Sequence, residues 1–207
     1  MQKLLLTVDR ISTFVGQTFS WLIVALTLMI SWEVFSRYAL DHPHPWAFDI
    51  MVMLYGTLFM MSGAYTLAKS GHVRGDVLYG FFKPRTQASI DLALYFLFFM
   101  PGVVALAWAG YNYAGDSWAM NEHSNITSDG PAVYPFKTVI PVAGAFLLLQ
   151  GFVEIIRCVI CIKTGAWPSR AQDVEEVDVG KLKDMVNVKD EDIAKLDAFV
   201  VKQEHPQ

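Results

Sequence analysis

The sequence predicts an all-α membrane protein with four transmembrane helices and both termini in the cytoplasm. Hydrophobic residues make up 54% of the chain, charged residues only 17%, and the apolar residues gather into four long runs. Each run can cross the ~30 Å hydrocarbon core of a bilayer as a helix. No run alternates apolar and polar residues for long enough to form a barrel strand, so backbone groups in lipid must be paired within helices.

The runs predict four spans, at about residues 14–36, 47–68, 89–111 and 138–162. The first run is too long for the core of a secretory signal, and no small-residue cleavage site follows it. We therefore expect this helix to remain in the mature chain. Residues 1–167 are expected to form a single four-helix transmembrane domain.

The composition changes after this domain. Residues 171–207 hold ten of the chain's twenty acids and five lysines, so residues 168–207 are predicted to be an acidic cytoplasmic tail. The acids at residues 190–192 are suited to the start of a short amphipathic helix. Docking on a partner and a frayed segment both stay open as interpretations of that helix.

Orientation follows from the distribution of lysine and arginine. One side of the predicted membrane carries Lys3, Arg10, Lys69, Arg74, Lys83, Arg85, Lys163 and Arg170, whereas the other side carries only Arg37 and Lys137. The positive-inside rule therefore places both termini in the cytoplasm. Tryptophans and tyrosines near the outer ends of the runs, among them Trp46, are typical of an interfacial belt.

Ionisable residues inside the runs occur as helical pairs. Glu33 and Arg37 are one turn apart, and Glu154 and Arg157 are three residues apart, so each acid is expected to be neutralised locally. Asp49 lies at the outer boundary of the second run. No run carries an unpaired charge at its centre or a matched pair of broken helices, which are the usual signs of a substrate path. The chain alone is not expected to transport.

Glycine and proline predict how the helices pack. Gly56 and Gly63, and likewise Gly144 and Gly151, are seven residues apart and share a helix face, where another backbone can approach closely. The spacing leaves open whether that helix belongs to this chain or to a partner. Pro101 predicts a kink in the third helix.

Redox and metal chemistry find little support. All five histidines fall outside the spans, which argues against a haem held between helices, and His42 with His44 is too small a set for a metal site. Cys158 and Cys161 have the spacing of a redox pair, but they lie at the end where thiols stay reduced. We expect no catalytic residue, metal or cofactor and no enzymatic activity. The alternatives are a self-sufficient small transporter and a membrane redox protein.

Several segments together resemble a known family. They are SWEVFSRYAL, PWAFD, GAYTLAKSGHVRGDVLYGFFKPRTQASIDL and YPFKTVIPVAGAFLLLQGFVEIIR. In order and spacing they are similar to the small membrane subunit of tripartite ATP-independent periplasmic (TRAP) transporters, the DctQ-like proteins. The loop motif resembles the mannitol and chloroaromatic, or organic-acid, branch. Gly75 and Asp49 stand where that branch more often has valine and glutamate.

The resemblance implies a division of labour in a bacterial inner membrane. A large membrane subunit would hold the substrate and sodium sites, a periplasmic binding protein would deliver an organic acid or related solute, and this chain would brace the static scaffold. The charged loop would contact the large subunit or lipid head groups, although pairing of Asp76 with Arg74 or Lys83 is an alternative. The candidates for the subunit interface are Glu33, Arg37, Trp46, Asp49, Gly56, Gly63, His72, Arg74, Asp76, Gly144 and Gly151.

The third loop, residues 112–136, is a candidate docking surface for the binding protein. It carries Asp116, Glu122 and Asp129 and has no lysine or arginine before Lys137. A solvated connector is the alternative interpretation of this loop.

Overall fold

The computed structural model describes residues 2–71, 79, 81–127, 130–168 and 170. It contains four helical stretches that are long and apolar enough to cross a membrane, and the described residues contain no strand. The predicted all-α fold with four spans is confirmed. Most of the predicted tail lies outside the described residues, so the domain boundary stays a prediction.

The helices follow one another as α1 (Gln2–Ser20), α2 (Leu22–Ala39), α3 (Ala47–Ala68), α4 (Pro84–Leu94), a π-turn (Tyr95–Phe99), α5 (Met100–Met120), α6 (Tyr134–Lys137) and α7 (Val139–Thr164). The first span consists of α1 and α2, which are separated only by a turn at Trp21. Helix α3 is the second span, α4 and α5 with the π-turn between them are the third, and α6 with α7 is the fourth.

The first span begins earlier than predicted, because α1 starts at Gln2 rather than near residue 14. Helix α1 is amphipathic and buries Leu5, Val8, Asp9, Ser12 and Gly16. This three-to-four-residue spacing places all five on one helix face. The helix is therefore stabilised by packing against the rest of the chain, which a search for apolar runs does not detect.

Helix α3 has the predicted bounds, residues 47–68. After it ends, Ser70 adopts a left-handed conformation (φ 56°), and the amide of Gly71 donates to the carbonyl oxygen of Thr66 at 2.9 Å. This arrangement resembles the hydrogen bonding that commonly closes helix C-termini.

The irregularity expected at Pro101 takes the form of the π-turn just before it. Proline has no N–H to donate to the carbonyl of Leu97, and its ring crowds that carbonyl. The chain responds with a wider turn, in which the amide of Met100 donates to the carbonyl of Tyr95, five residues back. Helix α5 then continues to Met120, so the third span is longer than the predicted 89–111, and residues 112–120 of the predicted third loop are helical.

Helices α3 and α7 lie at the centre of the packing. Helices α1 and α2 pack mainly on α3, α4 and α5 pack mainly on α7, and α1 also reaches α7. Two small apolar clusters hold the end of the protein that contains the N-terminus. One joins Leu5 and Val8 to Val153, and the other joins Ala88 to Cys158 and Cys161.

The spans differ in length. Helix α3 has 22 residues, or about 33 Å, and so matches the hydrocarbon core. The other three stretches have 38, 37 and 31 residues, which corresponds to about 57, 56 and 47 Å. Unlike α3, they are therefore longer than the hydrocarbon core is thick.

We expect Gly16→Ala to destabilise the protein, because a methyl group there would overlap the Cβ atom of Tyr65 on α3. Overpacking of this kind lowers the free energy of unfolding by about 1–3 kcal/mol. Gly115→Ala is the matched control, since nothing lies within 4 Å of a methyl group at that position. Replacing a glycine inside a helix by alanine stabilises the helix by up to about 1 kcal/mol. Thermal unfolding in mild detergent measures both. Equal melting temperatures would contradict the close α1–α3 contact.

Candidate functional site

A buried network of charges joins α1 to α7. The guanidinium of Arg157, which is 0% exposed, donates to the carboxylate of Glu154 at 2.6 Å and to the carboxylate of Asp9. The side-chain amide of Gln150 donates to the other oxygen of Asp9 at 2.9 Å and accepts from the hydroxyl of Ser12 at 2.9 Å. The network therefore spans residues about 150 positions apart in sequence.

Arg170 completes this network from beyond the end of α7. Its guanidinium donates to both carboxylate oxygens of Glu154, at 3.0 and 2.8 Å. It also lies 3.4 Å from the carbonyl oxygen of Leu67 and 3.3 Å from that of Ala68. These carbonyls belong to the last turn of α3, where a cation is favoured by the helix dipole. The same acid thus ties the end of α3 to α7.

At the opposite end, Glu33 organises the turn between α2 and α3. Its carboxylate accepts from the guanidinium of Arg37 at 3.0 Å and from the backbone amide of His44 at 3.2 Å, and it lies 3.1 Å from the Nδ1 atom of the same histidine. The ring of His44 contacts that of Trp46, with centroids 5.5 Å apart. The predicted Glu33–Arg37 pair is confirmed, and it forms part of a larger contact.

Asp49 anchors the third loop to the start of α3. Asp49 is only 3% exposed. One of its carboxylate oxygens accepts from the hydroxyl of Ser124 at 2.6 Å, and the other accepts from the hydroxyl of Thr127 at 3.1 Å. The loop is further closed by backbone bonds from Ser124 to Pro131 at 3.0 Å and from Val133 to Glu122 at 2.9 Å. The described part of this loop is therefore folded onto the helices.

The acids of the third loop lie in different environments. Glu122 accepts from the ammonium of Lys137, which holds the pKa of the Glu122 carboxyl below its usual value. The ammonium also lies 3.9 Å from the ring centroid of Tyr113. Asp116 lies on α5 rather than in the loop, and it is exposed there. Asp129 lies outside the described residues. Of the two described acids, Asp116 is the one open to solvent and Glu122 is engaged within the chain.

The four glycines of the seven-residue pairs contact other parts of this chain. A methyl group at Gly56 would meet the ring of Phe136, and one at Gly63 would meet Leu147. Gly144 faces the backbone of Ala107 at 3.0 Å, measured from the position of an added Cβ. Gly151 faces the ring of Phe99. Of the four, only Gly144 shows the close approach of helix backbones that the spacing predicts, whereas the other three meet side chains. Contact with a partner at these positions stays a prediction.

A comparison with protein families identifies the family to which this chain belongs. A family model described as "Tripartite ATP-independent periplasmic transporters, DctQ component" matches residues 26–160, well over half of the chain. The chain belongs to the DctQ family. Members of this family are the small component of TRAP transporters and work with a large membrane component and a periplasmic binding protein. No curated protein matches the chain.

Pro84 and Arg85 of the loop motif are described, at the start of α4. His72, Arg74 and Asp76 fall outside the described residues, so their place at a subunit interface stays a prediction. Of the described residues, no group of three or more His, Cys, Asp and Glu side chains is arranged to hold a metal ion. Cys158 and Cys161 are buried free thiols packed against Ala88.

The buried network contains four residues that the sequence did not predict as partners, namely Asp9, Ser12, Gln150 and Arg170. The Glu154–Arg157 pair was predicted and is confirmed. Asp9 could be recognised from the sequence, because it shares a face of α1 with Leu5 and Ser12, and an acid on a packing face requires a partner. Arg170 gives none, since it follows the helix in what composition alone marks as a solvated tail.

We expect Arg157→Gln to lower the free energy of unfolding by about 3–5 kcal/mol, because it leaves Asp9 without its buried cation. Arg10→Gln is the matched control. Arg10 is exposed on the same helix as Asp9, and surface changes usually stay within about 0.5 kcal/mol. Thermal unfolding of both variants in mild detergent compares them. A similar melting temperature for the two would contradict a stabilising role for the network.

Proposed function

We propose that this DctQ chain is the scaffold-bracing small subunit of a sodium-coupled TRAP transporter that imports an organic acid or a related small solute. One observation carries the proposal: every charged side chain buried among the described residues is bonded to another group of the same chain. The residues concerned are Asp9, Glu33, Asp49, Lys137, Glu154 and Arg157.

This pairing favours a bracing role over transport. A substrate or ion path through a membrane requires polar groups that can exchange partners during the cycle. Here the carboxylates of Asp9 and Glu154 are held by arginines, and that of Asp49 is held by two hydroxyls. The substrate and sodium sites are therefore assigned to the large component. The substrate class rests on the loop motif that resembles the organic-acid branch.

The proposed location is the bacterial inner membrane with both termini in the cytoplasm. The distribution of lysine and arginine supports this orientation. It places Gly71 on the cytoplasmic side and Ile126, which is 66% exposed, on the periplasmic side. The loop after α5 would then face the arriving binding protein. Asp116, near the end of α5, is the exposed docking candidate, and Glu122 contributes mainly to the fold of the loop.

The orientation is tested with single cysteines in a Cys158→Ala, Cys161→Ala background. In intact spheroplasts, a cysteine at Ile126 is expected to react with a membrane-impermeant maleimide, and a cysteine at Gly71 is expected to react only after the membrane is opened. Labelling of the Gly71 position in intact spheroplasts would reverse the proposed topology.

The bracing role is tested by reconstitution with the large component, the binding protein and a sodium gradient. Uptake of a labelled organic acid is expected only when all components are present, and this chain alone is expected to give none. Net uptake by the chain alone would replace the proposal with a self-sufficient transporter.

Asp116→Lys in the same assay is expected to raise the binding-protein concentration needed for half-maximal uptake, with a smaller effect at high salt. Unchanged half-maximal concentrations at low salt would remove Asp116 from the docking surface.

A further inference from the structure

Besides the face that packs on α3 and α7, helix α1 has a second face that is apolar and exposed. Its residues follow one another at intervals of three or four positions, so they form one strip along the helix. This exposed strip consists of Leu4, Thr7, Ile11, Phe14 and Thr18. The side chains of Leu4, Ile11 and Phe14 are 61%, 44% and 71% exposed. They can therefore contact the hydrocarbon or another molecule.

The two hydroxyl groups of the exposed strip are bonded within α1 itself. The hydroxyl of Thr7 donates to the carbonyl oxygen of Lys3, and the hydroxyl of Thr18 donates to the carbonyl oxygen of Phe14, both at 2.8 Å. Such bonds return a hydroxyl to the backbone of its own helix. Polar groups next to hydrocarbon must be paired within the protein, because lipid chains offer no partner. The strip is therefore suited to contact with lipid.

Two cations border the exposed strip. Lys3 and Arg10 are both exposed, and they lie four residues before Thr7 and Phe14, respectively. Residues four apart are neighbours on a helix surface. Asp9, the only acid of α1, faces inward and belongs to the buried network. The outer surface of α1 is therefore positively charged, which favours an anionic head group beside the apolar strip.

The buried network indicates the depth of these cations in the membrane. It links Asp9 to the last carbonyls of α3 through Glu154 and two arginines. Because α3 only just spans the hydrocarbon core, Asp9 and its neighbour Arg10 lie near the level at which the hydrocarbon ends. Lys3 is seven residues away, or about 10 Å along the helix. The head groups occupy about 5–8 Å on each side of the core. Long basic side chains at these two positions can reach them.

We propose that the exposed strip of α1 binds anionic phospholipids of the leaflet next to it. The acyl chains lie against Ile11 and Phe14, and the phosphates are held by Arg10 and Lys3. Basic residues beside an apolar helix face are typical of helices that bind anionic membrane surfaces. The contact is independent of transport, because it needs only α1 and the bilayer. In the proposed orientation of the chain, the leaflet is the cytoplasmic one.

The test uses a bimane fluorophore on Phe14→Cys in the Cys158→Ala, Cys161→Ala background. The full chain is reconstituted into phosphatidylcholine liposomes with a fixed fraction of either brominated phosphatidylglycerol or brominated phosphatidylcholine. Brominated acyl chains quench a fluorophore that they contact, and phosphatidylglycerol is expected to quench more strongly. Leu28→Cys is the matched control site, because Leu28 is 66% exposed and lies on α2, away from both cations. Equal quenching by the two lipids is expected there.

Charge variants test the phosphate contacts. Lys3→Gln and Arg10→Gln are each expected to lower the preference for phosphatidylglycerol at the Phe14 position about fivefold, the factor that corresponds to about 1 kcal/mol per cation. Lys83→Gln is the matched control. Lys83 is an exposed cation that precedes α4, and α4 packs mainly on α7. The preference is expected to be unchanged in this variant.

Three results would overturn the proposal. Equal quenching by the two brominated lipids at the Phe14 position would exclude recognition of an anionic head group. A preference that survives in Lys3→Gln and Arg10→Gln, or that falls equally in Lys83→Gln, would exclude Lys3 and Arg10 as the phosphate ligands. Loss of quenching when the large component is bound would show that a protein surface covers the exposed strip in the complex, whereas retained quenching would support the lipid contact there as well.

Discussion

The guanidinium of Arg157 lies between the carboxylates of Asp9 and Glu154, and three of the four spans depend on this contact. Asp9 belongs to α1, Arg157 and Glu154 belong to α7, and Glu154 holds Arg170 against the last carbonyls of α3. Charges removed from water are tolerated only when they are paired and hydrogen-bonded. Two acids and two arginines are paired here, so the segments that carry them are held next to one another.

This arrangement supports the proposed bracing role of the subunit. A transport site must release its ligand, so its polar groups need alternative partners. In the described part of this chain each buried charged side chain already bonds to another side chain, and several do so through two or three contacts at once. Such networks favour one arrangement of the helices over others. The same physical property thus contributes to stability and supports the proposal that other components of the system bind the ligand.

The sequence was sufficient to predict features that depend on local composition or on neighbours along one helix. The four spans follow from apolar length, and α3 was predicted with its observed bounds because its whole length matches the hydrocarbon core. The pairs Glu33–Arg37 and Glu154–Arg157 follow from helical spacing. In each of these cases the residues that determine the feature lie within one short segment of the sequence.

Features that depend on distant parts of the chain could not be predicted in this way. Asp9 and Arg157 are 148 residues apart, and no local pattern links them. Helix α1 extends to Gln2 because its buried face packs on α3 and α7, whereas hydropathy registers only the part rich in apolar residues. The hydroxyl partners of Asp49 come from the folded third loop. Pro101 predicted an irregularity in the third helix, but not that it would take the form of a π-turn.

The short second span gives the subunit a fixed depth in the membrane. The length of α3 only just matches the thickness of the hydrocarbon core, whereas each of the other three spans is longer than α3 by at least nine residues. A bilayer of different thickness can be accommodated by the longer helices through tilt, with other parts of their length entering the hydrocarbon. For α3, a thicker bilayer instead draws the flanking polar turns toward the hydrocarbon, where the contacts of Glu33 and Arg170 resist displacement. Hydrophobic mismatch would therefore act on this protein chiefly through its shortest helix.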